Sequence, residues 1–364
     1  MIPVVPARKR RAAARRWIRL ASAGALAGVL AACGGSSKTP APSPSSSASS
    51  ASPSASTSTQ AGGCSTLLEG PTCKVLWGTS AEGGSVSGLE QTMGRKFDVI
   101  YFFDSIDSGD LPSADERAVV DNGQTLHINL ESRQFAKPGR PEVRWSAVAA
   151  GDFDATLKSA AKGLAALDKP FFITFDHEAD GKAKLKARGT PAQFVAAWRH
   201  IRQVFRAAGA TQAIWTWVVT GYPPNFPTVL KLYPGNDAVD WISWDPYDSR
   251  GCQNGDVGSD PPQTFEEIAA PFYQWLATTG VRNGISLDKP YMISETGSAY
   301  DSKQPQATAA FYQSIPAGLR ALPRIRAVTI WDQDAGDCDY RVDGHSQLAP
   351  VLRETAKQLS QSHG

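Results

Sequence analysis

The stretch "LDKPFFITFDHEADGK" (167–182) decides how the fold is read. Its middle is a short apolar run, Phe171 to Phe175, opened by Pro170 and closed by Asp176, His177, Glu178 and Asp180. A run of that length rich in aromatic and β-branched residues reads as a buried strand, with the polar cluster at its exit. A second stretch, "LDKPYMISETGS" (287–298), opens with the same four letters, runs apolar and ends on Glu295. Two strands thus deliver two carboxylates.

Working outward, the same type of run recurs as "KVLWGTS" (74–80), "DVIYFFD" (98–104), "TLHINLE" (125–131), "PFFITFD" (170–176), "AIWTWVVT" (213–220), "DWISWDP" (240–246), "PYMISET" (290–296) and "AVTIWDQ" (327–333). Helical patterns separate them. The clearest is "TPAQFVAAWRHIRQVFRAAG" (190–209), with Thr190 as N-cap, Pro191 in the first turn, Gly209 as C-cap and Phe194, Trp198, Ile201 and Phe205 at helical spacing. Ser113 and Glu116 form a capping box, and a further helix in "QTFEEIAAPFYQWLATTG" is expected to end on Gly280. Eight strands alternating with helices over about 290 residues predict an α/β chain folded as a (β/α)8 TIM barrel. An open doubly wound sheet is the alternative, yet "WGTSAEGGSVSG" lacks its phosphate-loop fingerprint.

The first 63 residues read as delivery apparatus. Seven basic residues, all by position 19, precede the apolar run "LASAGALAGVLAAC". That is a signal peptide rather than a membrane span. It ends in Leu30-Ala31-Ala32-Cys33, which resembles the bacterial lipobox, so residues 1–33 are expected to be a lipoprotein signal with lipidation at Cys33. Residues 34–63, nearly all Ser, Ala, Pro, Thr and Gly, read as a disordered linker, and 64–364 as the globular domain. The expected location is the extracellular face of the cell membrane, held there by the lipid anchor. Without residues 1–32 the chain keeps 30 basic against 35 acidic groups, a net charge of about −5. The apparent basicity belongs to the leader, which removes the electrostatic case for a nucleic-acid partner. Four cysteines remain, and an even number in an exported chain predicts two disulfides, Cys64–Cys73 and Cys252–Cys338. The wide spacing does not suit zinc.

In a TIM barrel the chemistry sits at the C-terminal ends of the strands. Those ends hold Asp104, Glu131, Asp176 to Glu178, Asp245, Tyr247, Glu295 and Asp332, with Trp244 and Trp331 nearby as sugar-stacking candidates. Trp215 and Trp217 are expected to point one inward and one toward the helices. Strands four and seven lie on nearly opposite sides, so Glu178 and Glu295 face one another across the mouth. Paired carboxylates with aromatic platforms suit glycoside hydrolysis, and a gap of roughly 5 to 5.5 Å would give retention of configuration. The pair must differ in proton affinity. The negative charges of Asp176 and Asp180 would raise that of Glu178, a proton donor, while the hydroxyls of Ser294 and Thr296 would favour ionised Glu295.

His-Glu after the fourth strand, Glu after the seventh and aromatics after the sixth resemble glycoside hydrolase family 26, the mannanase-rich family of the large retaining-glycosidase clan. The resemblance covers about residues 74–358. It implies Glu178 as acid/base, His177 as a neighbour holding Glu178 or the substrate, and Glu295 as nucleophile. It further implies Tyr247 as a hydrogen-bond donor to that nucleophile and Trp331 as a platform under the sugar. The chain departs from the family pattern in "HEADGKAKLKARG" (177–189), where typical members carry Met, Asn-Gly and tryptophans.

The expected activity is endo-acting, retaining cleavage of a β-linked polysaccharide, β-1,4-mannan first, with β-glucan or xylan behind it. A non-hydrolytic glycan-binding lipoprotein is the rival of another class. Neither a cofactor nor a metal is expected: there is no GxSxG or HExxH, and the five aspartates of "DQDAGDCDYRVDG" (332–344) do not follow EF-hand spacing. The chain is expected to act as a monomer.

Overall fold

The computed structural model describes residues 64–81, 86–252 and 261–361. The expected signal, the lipidated Cys33 and the linker lie outside these residues.

The strands are β1 (Leu76–Ser80), β2 (Val99–Ser105), β3 (Thr125–Glu131), β4 (Phe171–Phe175), β5 (Ala213–Val219), β6 (Trp241–Trp244), β7 (Tyr247–Asp248), β8 (Tyr291–Ser298) and β9 (Ile325–Ile330). All pair in parallel, in the order β6-β5-β4-β3-β2-β1-β9-β8, and β6 pairs with β8 to close the ring. The result is an eight-stranded (β/α)8 barrel. Each of the eight apolar runs in the sequence supplies one strand. The two-residue β7 is an addition that pairs with the far end of β8 at the mouth, so the run counted seventh from sequence is β8.

Side-chain alternation sorts the strands into two faces. Leu76, Val99, Phe172, Ile214, Trp241, Met292 and Ala327 turn inward as one apolar layer. The Trp241 indole, at the foot of that layer, donates to the carbonyls of Leu67 and Leu68 at 3.1 Å. Above it the interior becomes polar: His127 meets Thr174 at 2.8 Å, and Ser243 meets Ser294 at 2.5 Å. Burial holds the His127 imidazole far below its usual range, at about 3, so it is neutral at any working pH.

Outward-facing residues pack under the helices. The helix Pro191–Ala207 opens with Thr190 capping Gln193 and buries Phe194, Trp198, Ile201 and Phe205. Trp215 stacks edge-on against Trp198 and Phe205, and Trp217 against Tyr233. Both tryptophans therefore face the helices, contrary to the expectation that they part company. Residues two apart on a strand share a side. The helix begun at Phe265 also continues past Gly280. The glycine that turns left-handed and ends it is Gly284, at φ +86°.

The two expected disulfides are present, Cys64–Cys73 and Cys252–Cys338. The second fastens the segment after β7 to the acidic loop after β9.

Candidate active site

β4 ends in an uncommon turn. Asp176 (φ 53°) and Glu178 (φ 52°) both adopt the left-handed conformation, with His177 between them. Such residues cost energy unless their surroundings hold them. Here three consecutive N–H groups are held: Asp176 donates to the Leu130 carbonyl at 2.9 Å, His177 to Asn129 Oδ1 at 3.0 Å and Glu178 to the Val218 carbonyl at 3.0 Å. Neighbouring strands on both sides thus fix the turn that presents His177 and Glu178 at the mouth.

The two ends of that turn face different ways. Asp176 is fully buried, paired with Arg188 and bound by the hydroxyl of Ser132 and, at 2.5 Å, by the indole of Trp145. Arg188 also reaches Glu142 at 2.5 Å and Glu131 at 3.4 Å. Asp180 accepts from the Thr220 backbone at 3.0 Å, from its hydroxyl, and from Asn225 at 3.1 Å. These two aspartates were expected to tune Glu178 by their charge. Asp176 is neutralised by Arg188 under the barrel rim, whereas Asp180, held by neutral donors, ties the loops after β4 and β5 together and keeps a charge that acts on Asp245 within the site.

The segment that departs from the family pattern forms the short helix Lys182–Arg188. It turns two cations inward: Arg188 to the ion-pair cluster, and Lys184 to the His177 carbonyl and to His177 Nδ1 at 3.4 Å.

Opposite stands Glu295, 6 % exposed. By simple alternation it would share the helix-facing side of Tyr291 and Ile293, both packed in the outer core. The β8–β9 register slips between Ile293 and Thr296, an irregularity that re-aims the intervening residues. Glu295 consequently reaches the mouth, where Tyr247 donates to its Oε2 at 2.8 Å and His177 Nε2 lies 3.6 Å from its Oε1. Burial and the neighbouring Glu295 push the Tyr247 phenol well above its usual range, so it remains a donor.

Asp245, at the end of β6, completes the group. Burial, then the charges of Glu295, Glu178 and Asp180, raise its carboxyl well above the usual carboxylate range. It is 4 % exposed, so the site contains a carboxyl that holds its proton to unusually high pH. Phe103 meets His177 and Trp331 edge-on at 5.1 and 5.5 Å, forming an aromatic wall on the β2 and β9 side.

No family model matches the chain. Among solved structures it superposes on GH26C from Muricauda sp. MAR_2010_75 with a TM-score of 0.58 at 13 % identity, covering 81 % of this chain and 87 % of that one. It superposes on a GH26 β-mannanase from Bacteroides ovatus with a TM-score of 0.56 at 15 % identity, covering 79 % and 90 %. The chain has the barrel fold of the family 26 glycoside hydrolases. By sequence it is 29 % identical over 289 residues to Endoglucanase H of Acetivibrio thermocellus, which is 76 % of this chain and 29 % of that protein. It is 28 % identical over 107 residues to Beta-1,3-xylanase TXYA of a Vibrio species, 29 % of this chain and 23 % of that protein. The chain thus spans under a third of the curated relatives it matches.

Within this family 26-type barrel, one tryptophan expected at the cleft is elsewhere. Trp244 is fully buried, its ring 5.3 Å from Phe272 and 5.8 Å from Tyr291. Trp241 and Ser243 face inward on β6, so Trp244 must face the helices. Trp331 lies just past β9 and is only partly buried. Asp332 accepts from the Val342 backbone at 2.5 Å and closes the acidic loop, where Arg341 pairs with Asp339 at 2.8 Å and Asp334 at 3.5 Å. Among the described residues no group of three His, Cys, Asp or Glu could hold a metal ion. Sequence reasoning gave no role to Asn129 or Lys184, although His127, Asn129 and Glu131 are polar at every second position of an apolar strand, a signal of inward-facing chemistry.

Proposed function

We propose that the protein is a retaining glycoside hydrolase that cuts a β-linked polysaccharide internally, with β-1,4-mannan as first substrate. Glu295 acts as nucleophile and Glu178 as acid/base. The observation that carries this reading is the setting of Glu295. Tyr247 donates to one of its oxygens and His177 Nε2 faces the other, the environment of a carboxylate kept ionised and aimed.

In the first step Glu295 attacks the anomeric carbon while Glu178 gives its proton to the departing oxygen. In the second, Glu178 takes a proton from water, which displaces Glu295. Phe103 and Trp331 offer apolar surface to the sugar. Asp245, whose carboxyl is raised by burial and by the charges of Glu295 and Glu178, is the site's third carboxyl and, in its protonated form, can donate a hydrogen bond to a sugar hydroxyl.

The similarity to Endoglucanase H and Beta-1,3-xylanase TXYA favours β-glucan and xylan as second readings. We also propose export and anchoring through Cys33, and action as a monomer.

The test is hydrolysis of a panel of mannans, glucans and xylans by the unmodified protein and by Glu295→Ala. Cutting by the first, with binding but no cutting by the second, is expected. Binding without cutting by both would favour a glycan-binding module.

A further inference from the structure

We propose that Asn129 and Lys184 are positioning residues that fix His177 as the tautomer protonated on Nε2 alone, so that its N–H is directed at Glu295. The proposal rests on the reading of Glu295 as nucleophile.

The amide orientation of Asn129 follows from chemistry. The atom that meets the His177 backbone N–H at 3.0 Å must be an acceptor, hence Oδ1. The amide nitrogen then faces His177 Nδ1 at 2.8 Å. An amide NH2 can only donate, so Nδ1 must accept and carries no proton. Lys184 Nζ, itself anchored to the His177 carbonyl, lies 3.4 Å from the same nitrogen and is likewise donor-only. Two donors on one ring nitrogen disfavour both the Nδ1–H tautomer and the imidazolium.

The other groups facing the ring agree with this. Glu131 Oε1 is 3.9 Å from Nδ1, beyond hydrogen-bond range, and its second oxygen is drawn to Arg188 at 3.4 Å. Phe103 packs edge-on and holds the ring plane. Glu295 Oε1 lies 3.6 Å from Nε2, just outside direct hydrogen-bond range, and is the carboxylate oxygen toward which a proton on Nε2 would be turned. A neutral donor there supports the carboxylate without binding it as an ion pair, which would blunt its attack. The opposite tautomer would set a lone pair against it.

The direct test is two-bond proton–nitrogen NMR of the full chain labelled at histidine, at pH 7, with the His177 signals assigned by their absence in His177→Gln. An unprotonated Nδ1 and protonated Nε2 are expected. Asn129→Asp keeps the acceptor for the backbone but turns the donor into an acceptor. It should move the proton onto Nδ1, shift the pH–rate profile and lower kcat roughly ten- to a hundredfold, with KM changed less. A protonated Nδ1 in the unmodified protein, or a tautomer unmoved by Asn129→Asp, would overturn the proposal. Because the tautomer is read without substrate, a wrong tautomer counts against this positioning whether or not glycan is cut. Lack of cutting counts against the proposed function whatever the tautomer.

Discussion

The Tyr247 hydroxyl donates to Glu295 Oε2 at 2.8 Å, joining the two-residue β7 to the end of β8 beside which it pairs. The short extra strand thereby has a use: it carries the donor that orients the proposed nucleophile. Removing the hydroxyl alone isolates that effect. Tyr247→Phe is expected to lower kcat roughly ten- to a hundredfold, the worth of a hydrogen bond to a charged group, while melting changes little. Steady-state kinetics beside a thermal melt checks it.

Arg188 is 1 % exposed and compensates Asp176, Glu131 and Glu142 together. Arg188→Met would leave buried carboxylates without their counter-charge, and breaking such a pair costs about 3–5 kcal/mol. Urea denaturation at pH 7 should show a loss of that size. A loss under about 1 kcal/mol would mean that water or another cation reaches the cluster.

Asp245 gives a pH dependence of definite sign. Its carboxyl is raised in the folded protein, by burial first and then by Glu295 and Glu178. The folded state therefore holds a proton that the unfolded chain has already released above its ordinary range near 4. That contribution is fully present below pH 4 and is lost as pH rises toward the folded value. Asp245→Asn removes the titrating group, so it is expected to stabilise the protein at pH 8 relative to the unmodified chain, and less so at pH 4. Equal gains at both pH values would contradict the assignment.

The two tryptophans once paired as sugar platforms should separate cleanly. Trp244→Ala empties a fully buried site under the helix Phe265–Trp275 and should cost about 3–5 kcal/mol. Trp331→Ala, at the partly exposed aromatic wall, should chiefly raise KM for the polysaccharide. Denaturation curves and Michaelis constants of both variants decide it.

The barrel was legible because strands buried on both faces appear as uninterrupted apolar runs, and eight such runs leave few alternatives. Which side a strand-end residue faces was harder to read. Trp244 stands beside the mouth in sequence, but inward Trp241 and Ser243 force it outward. Glu295 would fail the same parity test and reaches the site only through a slip in the β8–β9 register. Asp176 was misjudged because the left-handed backbone at 176 and 178 sends neighbouring acids in different directions. The cations of "GKAKLKARG" looked like a solvated surface. Lys184 and Arg188 are instead buried behind the site, at 9 % and 1 % exposure, a placement set by tertiary packing rather than local pattern.

The central claim is that Glu295 forms a covalent bond to the sugar. Incubation with activated 2-deoxy-2-fluoro β-glycosides, followed by peptide mass mapping, tests it most directly, since the fluorine slows release of a glycosyl-enzyme intermediate. The expected result is one adduct on the peptide containing Glu295, absent from Glu295→Gln. An adduct on another residue, or none from a glycoside whose parent sugar the protein hydrolyses, would contradict it.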